Sequence, residues 1–355
     1  MTNRLFKAVL VAGLTLRAGG TVLQAQTVAT SVDSVRHEVV ISASPFNVPP
    51  VDMHDMMPGM DHGAMGHDGP IKLYQFEWPV DAYGKAFRVE VRDSRGALLP
   101  RSLLHHVIGI NLDRRQFIYA AAERLFAIGK ETENVTLPGA LAVPLEQGQR
   151  LGFYVAWHND TGRELKNVSV RIVMTWVPAS AARQLIAVLP VYLDVNNDIG
   201  GDNTFDVAPG KSFRTFEFSS PVSGKLLGVG GHLHDYGIAM RLDDAVTGAT
   251  LVRLPAERDK DGRITSMPRK FFAFNPVKLA AGHRYRVVAE YDSPKSETVK
   301  GVMGNLVAAI VPNDPSQWPA IDPNDASFQK DIRSLGLSAW TPGAQTSRDG
   351  NGSRR

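Results

Sequence analysis

The sequence predicts an all-β protein, built as two antiparallel jelly-roll β-sandwich domains in tandem. Three observations lead there. The chain has 355 residues, 43% of them hydrophobic, enough to bury more than one core. Short apolar runs with period-two alternation recur between about residues 74 and 311, separated by turn clusters, the pattern of sandwiches rather than of βαβ units. No nucleotide-type Gly-rich loop or Walker sequence interrupts that pattern, which sets aside the common nucleotide-binding α/β folds.

Taken in order, residues 1–25 read as a secretory signal. Arg4 and Lys7 precede the short apolar run Ala8 to Leu16, and small residues follow up to a cleavage site near Ala25. Arg17 interrupts that run well short of the roughly 20 residues a membrane span needs, so no span is expected after cleavage. Residues 26–69 are expected to be a flexible segment. Its second half, Val51 to Gly69, holds five methionines and three histidines (His54, His62 and His67) without apolar periodicity.

The first sandwich is expected over 70–178. It takes in Phe87 to Val91 and Arg150 to Trp157. It closes with Val168 to Val177, which puts Val168, Val170, Ile172, Met174 and Trp176 on one face. The polar turn Asn159 to Gly162 would join the last two as an antiparallel pair. Asp113 to Lys130 suits a short helix, although its Phe117 to Ala122 stretch suits a strand equally well.

Residues 178–188 read as a linker, and 185–312 as the second sandwich. Its strand signals are Phe213 to Phe218, Leu226 to Leu233, Ile238 to Leu242, Thr250 to Leu254, Tyr285 to Tyr291 and Leu306 to Val311. From residue 313 to 355 the chain turns polar and Pro-rich and is expected to be a partly disordered extension.

Composition narrows the chemistry. The formal charge of +3 includes Arg4, Lys7 and Arg17; without those three, 36 basic residues face 36 acidic ones. No long basic stripe appears, so neither nucleic acid nor an anionic membrane is an expected partner. Cysteine is absent, which excludes disulfides, thiolate metal sites, iron–sulfur clusters and a cysteine nucleophile. Methionine is therefore the only soft metal ligand available. Export predicts a periplasmic or secreted location.

Ten histidines carry most of the functional information. His232 and His234 flank Leu233; on a strand, residues two apart project from one face, so both imidazoles can converge on one ion. Imidazole suits copper, zinc, iron or nickel, and two unrelated surface or core histidines would leave the same pattern. His105 and His106 are adjacent, so a regular strand would send them to opposite faces. One ion would need a bulge or a strand end there; otherwise one is buried and the other exposed. His158, at the end of a strand, reads by itself as structural, and Met303 by itself as a core methionine, although a thioether favours Cu(I).

In order, His105, His106, His158, His232, His234 and Met303 resemble the ligand set of the copper type II ascorbate-dependent monooxygenases, the family of peptidylglycine α-hydroxylating and dopamine β-monooxygenases. The likeness extends over roughly residues 70–312. It includes Leu104 before the His-His pair, Ile118 to Ala121 with Leu137-Pro138, Phe153 to His158, and Gly304-Asn305-Leu306 after Met303. The resemblance implies two jelly-roll domains with one copper each, held by His105, His106 and His158 and by His232, His234 and Met303. It implies hydroxylation of a C–H bond of a small organic substrate with O2, recharged by ascorbate or another small reductant, and Asn305 as a substrate contact.

Two departures weaken a peptidylglycine substrate. Gly230 stands where the peptide-hydroxylating members place an arginine, and Val307 where they place a tyrosine. Losing the charged clamp would remove a hydrogen bond worth about 1.5–3 kcal/mol. The alternative expectation is a non-catalytic periplasmic copper-binding or copper-handling protein, in which the Met/His segment captures the metal.

Overall fold

The computed structural model describes residues 26–50, 71–129, 134–201, 203–272 and 274–342. The segment read as a secretory signal, the Met/His-rich stretch 51–69 and the last thirteen residues lie outside them. The described chain is mainly β-strand, arranged in sheets that pack face to face over two principal apolar cores.

The first sandwich sets two sheets against each other. One runs in the order Thr27–Asp33, Glu38–Val48, Leu165–Pro178, Ala82–Arg92, Leu141–Leu145 and Ile186–Ala187; the other runs Tyr74–Glu77, Arg150–Trp157, Leu104–Arg115 and Ala122–Gly129. Alternation decides which side chains meet. Val39, Ile41 and Ala43 from one strand and Val168, Val170, Ile172 and Met174 from its neighbour are all buried in the shared core.

Three expectations change here. Residues 27–48, taken from the sequence as part of a flexible segment, form an antiparallel hairpin that edges the larger sheet. Its core-facing Val39, Ile41 and Ala43 need that partner to leave water. Arg150–Trp157 and Leu165–Pro178 are consecutive but do not pair; they lie in opposite sheets. The Asn159 turn is thus a corner between sheets, held by the Asn159 amide donating to the Val48 and Arg163 carbonyls at 2.9 and 2.8 Å. Residues 116–121 are neither helix nor strand. They form a loop that drives Phe117, fully buried, into the core of the second sandwich.

The second sandwich opposes Leu189–Asp194, Gly304–Pro312, Gly224–Leu233 and Lys270–Phe271 to Gly210–Ser219, Arg284–Ser293, Gly237–Asp244 and Thr250–Pro255. Leu226, Leu242, Val287, Ala289 and Ile310 fill the space between. Residues 179–188 are no loose linker. Ile186–Ala187 adds to the first sandwich beside Leu141–Leu145, and Val188 belongs to that core, so the handover falls between 188 and 189.

Beyond residue 312 the chain returns to the first sandwich. A helix, Ala326–Ser334, is capped by Asp325, whose carboxylate accepts from the Ser327 and Phe328 amides. Phe328, Ile332 and Leu335 form a third core with Leu73, Ile110 and Leu112, on the outer face of the smaller sheet. The Trp318 and Trp340 indoles donate to the Arg115 and Leu112 carbonyls at 2.9 and 2.8 Å, pinning the segment at both ends.

Candidate metal centre

His105 and His106 open the strand Leu104–Arg115. Ala156 pairs with His106 and Trp157 with Leu104, so His105 is an extra residue against its neighbour strand. That is the bulge an adjacent pair requires. Leu104 and Val107 turn into the core on either side, while both histidines stay half-buried, their ring centres 4.7 Å apart.

His232 lies at the end of the strand Gly224–Leu233 of the other sandwich, and His234 follows directly after it. Leu233 between them is buried, and their rings stand 5.1 Å apart and nearly perpendicular. Gly304 sits opposite Leu233; a Cβ there would come within 2.6 Å of the Ala289 Cβ, so only glycine lets the strands approach.

The buried Tyr291 hydroxyl fastens this corner. It accepts from the His234 backbone N–H at 3.2 Å and donates to the Met303 carbonyl at 2.5 Å. Burial pushes the Tyr291 phenol above its usual range, so it remains a neutral donor. One hydroxyl therefore couples the His-x-His turn to the Met303 turn.

Across three strands, Asp194, Asn305 and His232 lie in register. Asp194 is buried and accepts from the Tyr192 hydroxyl at 2.6 Å and the Asn196 amide at 2.7 Å. Burial raises its pKa despite those bonds, and burial together with the Asp194 charge holds the Tyr192 phenol up. Tyr119, carried by the loop from the first sandwich, accepts from the Asp194 N–H at 2.7 Å and donates to its carbonyl at 3.1 Å.

These elements face each other across one cavity of about 500 Å³ between the sandwiches. His105, His106, His232, His234, Met303 and Asn305 all line it, and the His105 and His234 rings are 5.9 Å apart. With metal–imidazole bonds of about 2.0–2.1 Å and a ring radius of about 1.1 Å, two rings on one ion have centres at most about 6.4 Å apart. The spacings within each pair and between the sandwiches all fall inside that reach.

His158 is not among the lining residues. Its backbone N–H donates to the Leu103 carbonyl at 2.8 Å, two residues before His105. Among the described residues, no three or more His, Cys, Asp or Glu side chains stand together as a preassembled ion site; the histidines meet in pairs. Four imidazoles and a thioether lining one cavity, with no thiolate, make a donor set that could serve copper in both oxidation states.

The opposite wall was not foreseen from the sequence. Arg124 reaches the cavity from the smaller sheet of the first sandwich, with Tyr154 and Tyr192 beside it. Asp331 of the C-terminal helix grips the Arg124 guanidinium at 2.8 and 2.5 Å and also accepts from the Ala122 amide. Burial works against the Arg124 charge, but the Asp331 charge and hydrogen bonds outweigh it and leave the pKa raised. The Glu123-Arg124 pair inside the otherwise apolar stretch Ala120 to Ile128 was the available cue; the Arg124 partner is 207 residues away.

Arg269 occupies another position of interest. A Cβ on Gly230 would meet the Arg269 stem at 3.3 Å and Val307 at 3.2 Å, and the Arg269 guanidinium donates to the Asn134 carbonyl at 3.0 Å. An arginine thus arrives from the connection before Lys270–Phe271 over the glycine that replaces one.

No protein-family model matches the sequence, and no curated protein is similar to it. Among solved structures, the major capsid protein P2 of bacteriophage PM2 aligns with 70% of this chain and 96% of its own, at 10% identity and a TM-score of 0.36. PNGase F, a glycosylasparaginase from Flavobacterium meningosepticum, aligns with 76% of this chain and 95% of its own, at 8% identity and a TM-score of 0.37. The major capsid protein of Sulfolobus turreted icosahedral virus aligns at 10% identity over 71% of this chain and 96% of its own, with a TM-score of 0.31.

Proposed function

We propose that this chain is an exported copper protein that hydroxylates a C–H bond of a small organic substrate with O2 and a reductant such as ascorbate, in the manner of the copper type II monooxygenases. What supports the reading is that the two histidine pairs and Met303, far apart in sequence, line the same cavity. Copper on these ligands would supply one-electron transfer and O2 activation. His105 and His106 would hold one ion, with His158 as their proposed third ligand, and His232, His234 and Met303 the second.

The protein's own part is positional. The bulge turns two adjacent imidazoles to one side, and the Tyr291 hydroxyl keeps the Met303 turn against His234. The buried Asn305 amide faces the same space beside His232 and would orient the substrate. Enclosure between the sandwiches limits water at the reacting bond.

The test is to load the mature protein with Cu(II) and measure stoichiometry, the type 2 EPR signal and ascorbate-driven O2 uptake with candidate substrates. Two coppers should bind outside residues 51–69, and Met303→Ile should abolish turnover while the EPR signal of the His105/His106 site persists. Copper bound tightly, with no reductant-dependent turnover on any substrate, would replace the enzyme with the copper-handling role that the Met/His segment suggests.

A further inference from the structure

We propose, resting on the reading above, that this cavity selects an uncharged substrate with an apolar body, and that the C-terminal segment sets this preference by neutralising Arg124. Among the described residues that line the cavity, Arg124 and Asp198 are the only formally charged side chains. Both are answered from the helix Ala326–Ser334. Asp331 takes the Arg124 guanidinium through two bonds, at 2.8 and 2.5 Å, with its own carboxylate fully buried; Lys330 pairs with Asp198 near the rim.

Apart from the four histidines, the rest of the wall is apolar or uncharged. Ile108, Ile128 and Leu335 supply hydrocarbon surface, and Tyr154, Asn203 and Asn305 supply neutral hydrogen-bonding groups. Away from the histidine groups, a charged ligand entering this space loses water and finds no counter-charge left on the protein side chains to replace it. A neutral molecule with one hydroxyl or carbonyl loses little and gains the apolar contact. Leu335 and Ser334 border the cavity, so the helix that cancels the charge also supplies part of the apolar wall.

The experiment compares three probes of one shape, benzyl alcohol, benzoate and benzylammonium, titrated calorimetrically into the full mature chain. Metal-free and Cu(I)-loaded protein are both used, because a carboxylate can ligate copper directly. In the metal-free arm, benzyl alcohol should bind at least ten-fold more tightly than either ion. Asp331→Asn, which frees the Arg124 charge, should raise benzoate affinity at least ten-fold and leave benzyl alcohol within two-fold.

Since Asp331→Asn strands a buried cation and can unfold the chain, Arg124→Met/Asp331→Met is made alongside; removing both charges should preserve the neutral preference. Benzoate or benzylammonium binding wild type as tightly as benzyl alcohol overturns the inference. So does tight benzoate binding that Arg269→Met abolishes, since the recognising charge would then come from outside this wall. Copper stoichiometry and ascorbate-driven turnover are read separately. Neutral selectivity without copper uptake would sink the monooxygenase reading alone, and a charged preference with normal copper uptake would sink this one alone.

Discussion

Replacing Tyr291 with phenylalanine isolates the hydroxyl that joins the turns carrying His234 and Met303 in the second sandwich. The ring is 2% exposed and packs edge-on to Phe205 at 5.8 Å, so Tyr291→Phe keeps its burial and loses only the oxygen. Two bonds go with it, from the His234 N–H and to the Met303 carbonyl. Each buried group left without a partner costs about 1–3 kcal/mol. The 3.2 Å bond belongs at the weak end of that range, giving a total of about 2–4 kcal/mol. Urea unfolding followed by tryptophan fluorescence should read this as a lower midpoint with an unchanged slope.

A group that orients metal ligands from behind should also weaken the ion by about 10- to 100-fold when removed, measured as Cu(I) affinity against a competing chelator. Tyr285→Phe is the control. That hydroxyl accepts from the Ala280 amide at 2.9 Å in the same sandwich, outside the cavity lining, so its loss should lower stability and leave Cu(I) affinity unchanged. If Tyr291→Phe and Tyr285→Phe weaken copper equally, or neither does, the coupling of Met303 to His234 through Tyr291 is wrong.

Phe117→Ala should cost about 3–5 kcal/mol, because the side chain is fully buried in the core of the second sandwich and packs at a tilt against Trp318, ring centres 5.4 Å apart. Calorimetry should resolve two unfolding transitions where wild type shows one, and a single unshifted transition would refute the idea that this loop couples the sandwiches. The Asp244 carboxyl is held down at about 2, below the usual carboxylate range, by the Thr247 and Val246 amides and by His283. With the folded pKa depressed, its contribution is present above the unfolded value and lost as pH falls through the folded one. The gap in urea midpoint between wild type and Asp244→Asn should therefore be full at pH 5 and shrink toward pH 2; a gap that widens on acidification would refute it.

What could be read from the sequence depended on how local the signal was. All six strands read in the second half lie within observed strands, because each is a short apolar or alternating run bounded by polar turn residues. On the face read as Val168, Val170, Ile172, Met174 and Trp176, the first four are buried, while Trp176, past a register shift after Thr175, is only partly buried. The hairpin at 27–48 was missed because Val39 and Val40 are both apolar, which blurs the alternation, and because a segment rich in methionine follows it.

The Asn159 turn misled for another reason. A short polar connection between two strands fits a hairpin and a sheet-to-sheet corner equally well. In the cavity, the histidine groups and Met303 stood out by residue type, and the bulge at His105 was the geometric condition their adjacency imposed. Arg124 with Asp331, Tyr119 with Asp194, and Arg269 over Gly230 pair residues distant in the chain, and no window of sequence contains both members.

The return of residues 313–342 to the first sandwich has a consequence for the order in which the molecule assembles. Leu73, Ile110 and Leu112 acquire their covering only when the final described segment is available, after the whole second sandwich has been laid down. During synthesis, then, the earlier half would wait with an oily patch showing, and the later half would be moored to it at both ends once the strap is tied. Clipping the chain after Pro312 should thus do more than shorten it: it would strip one side of the chamber and leave the guanidinium inside it bare.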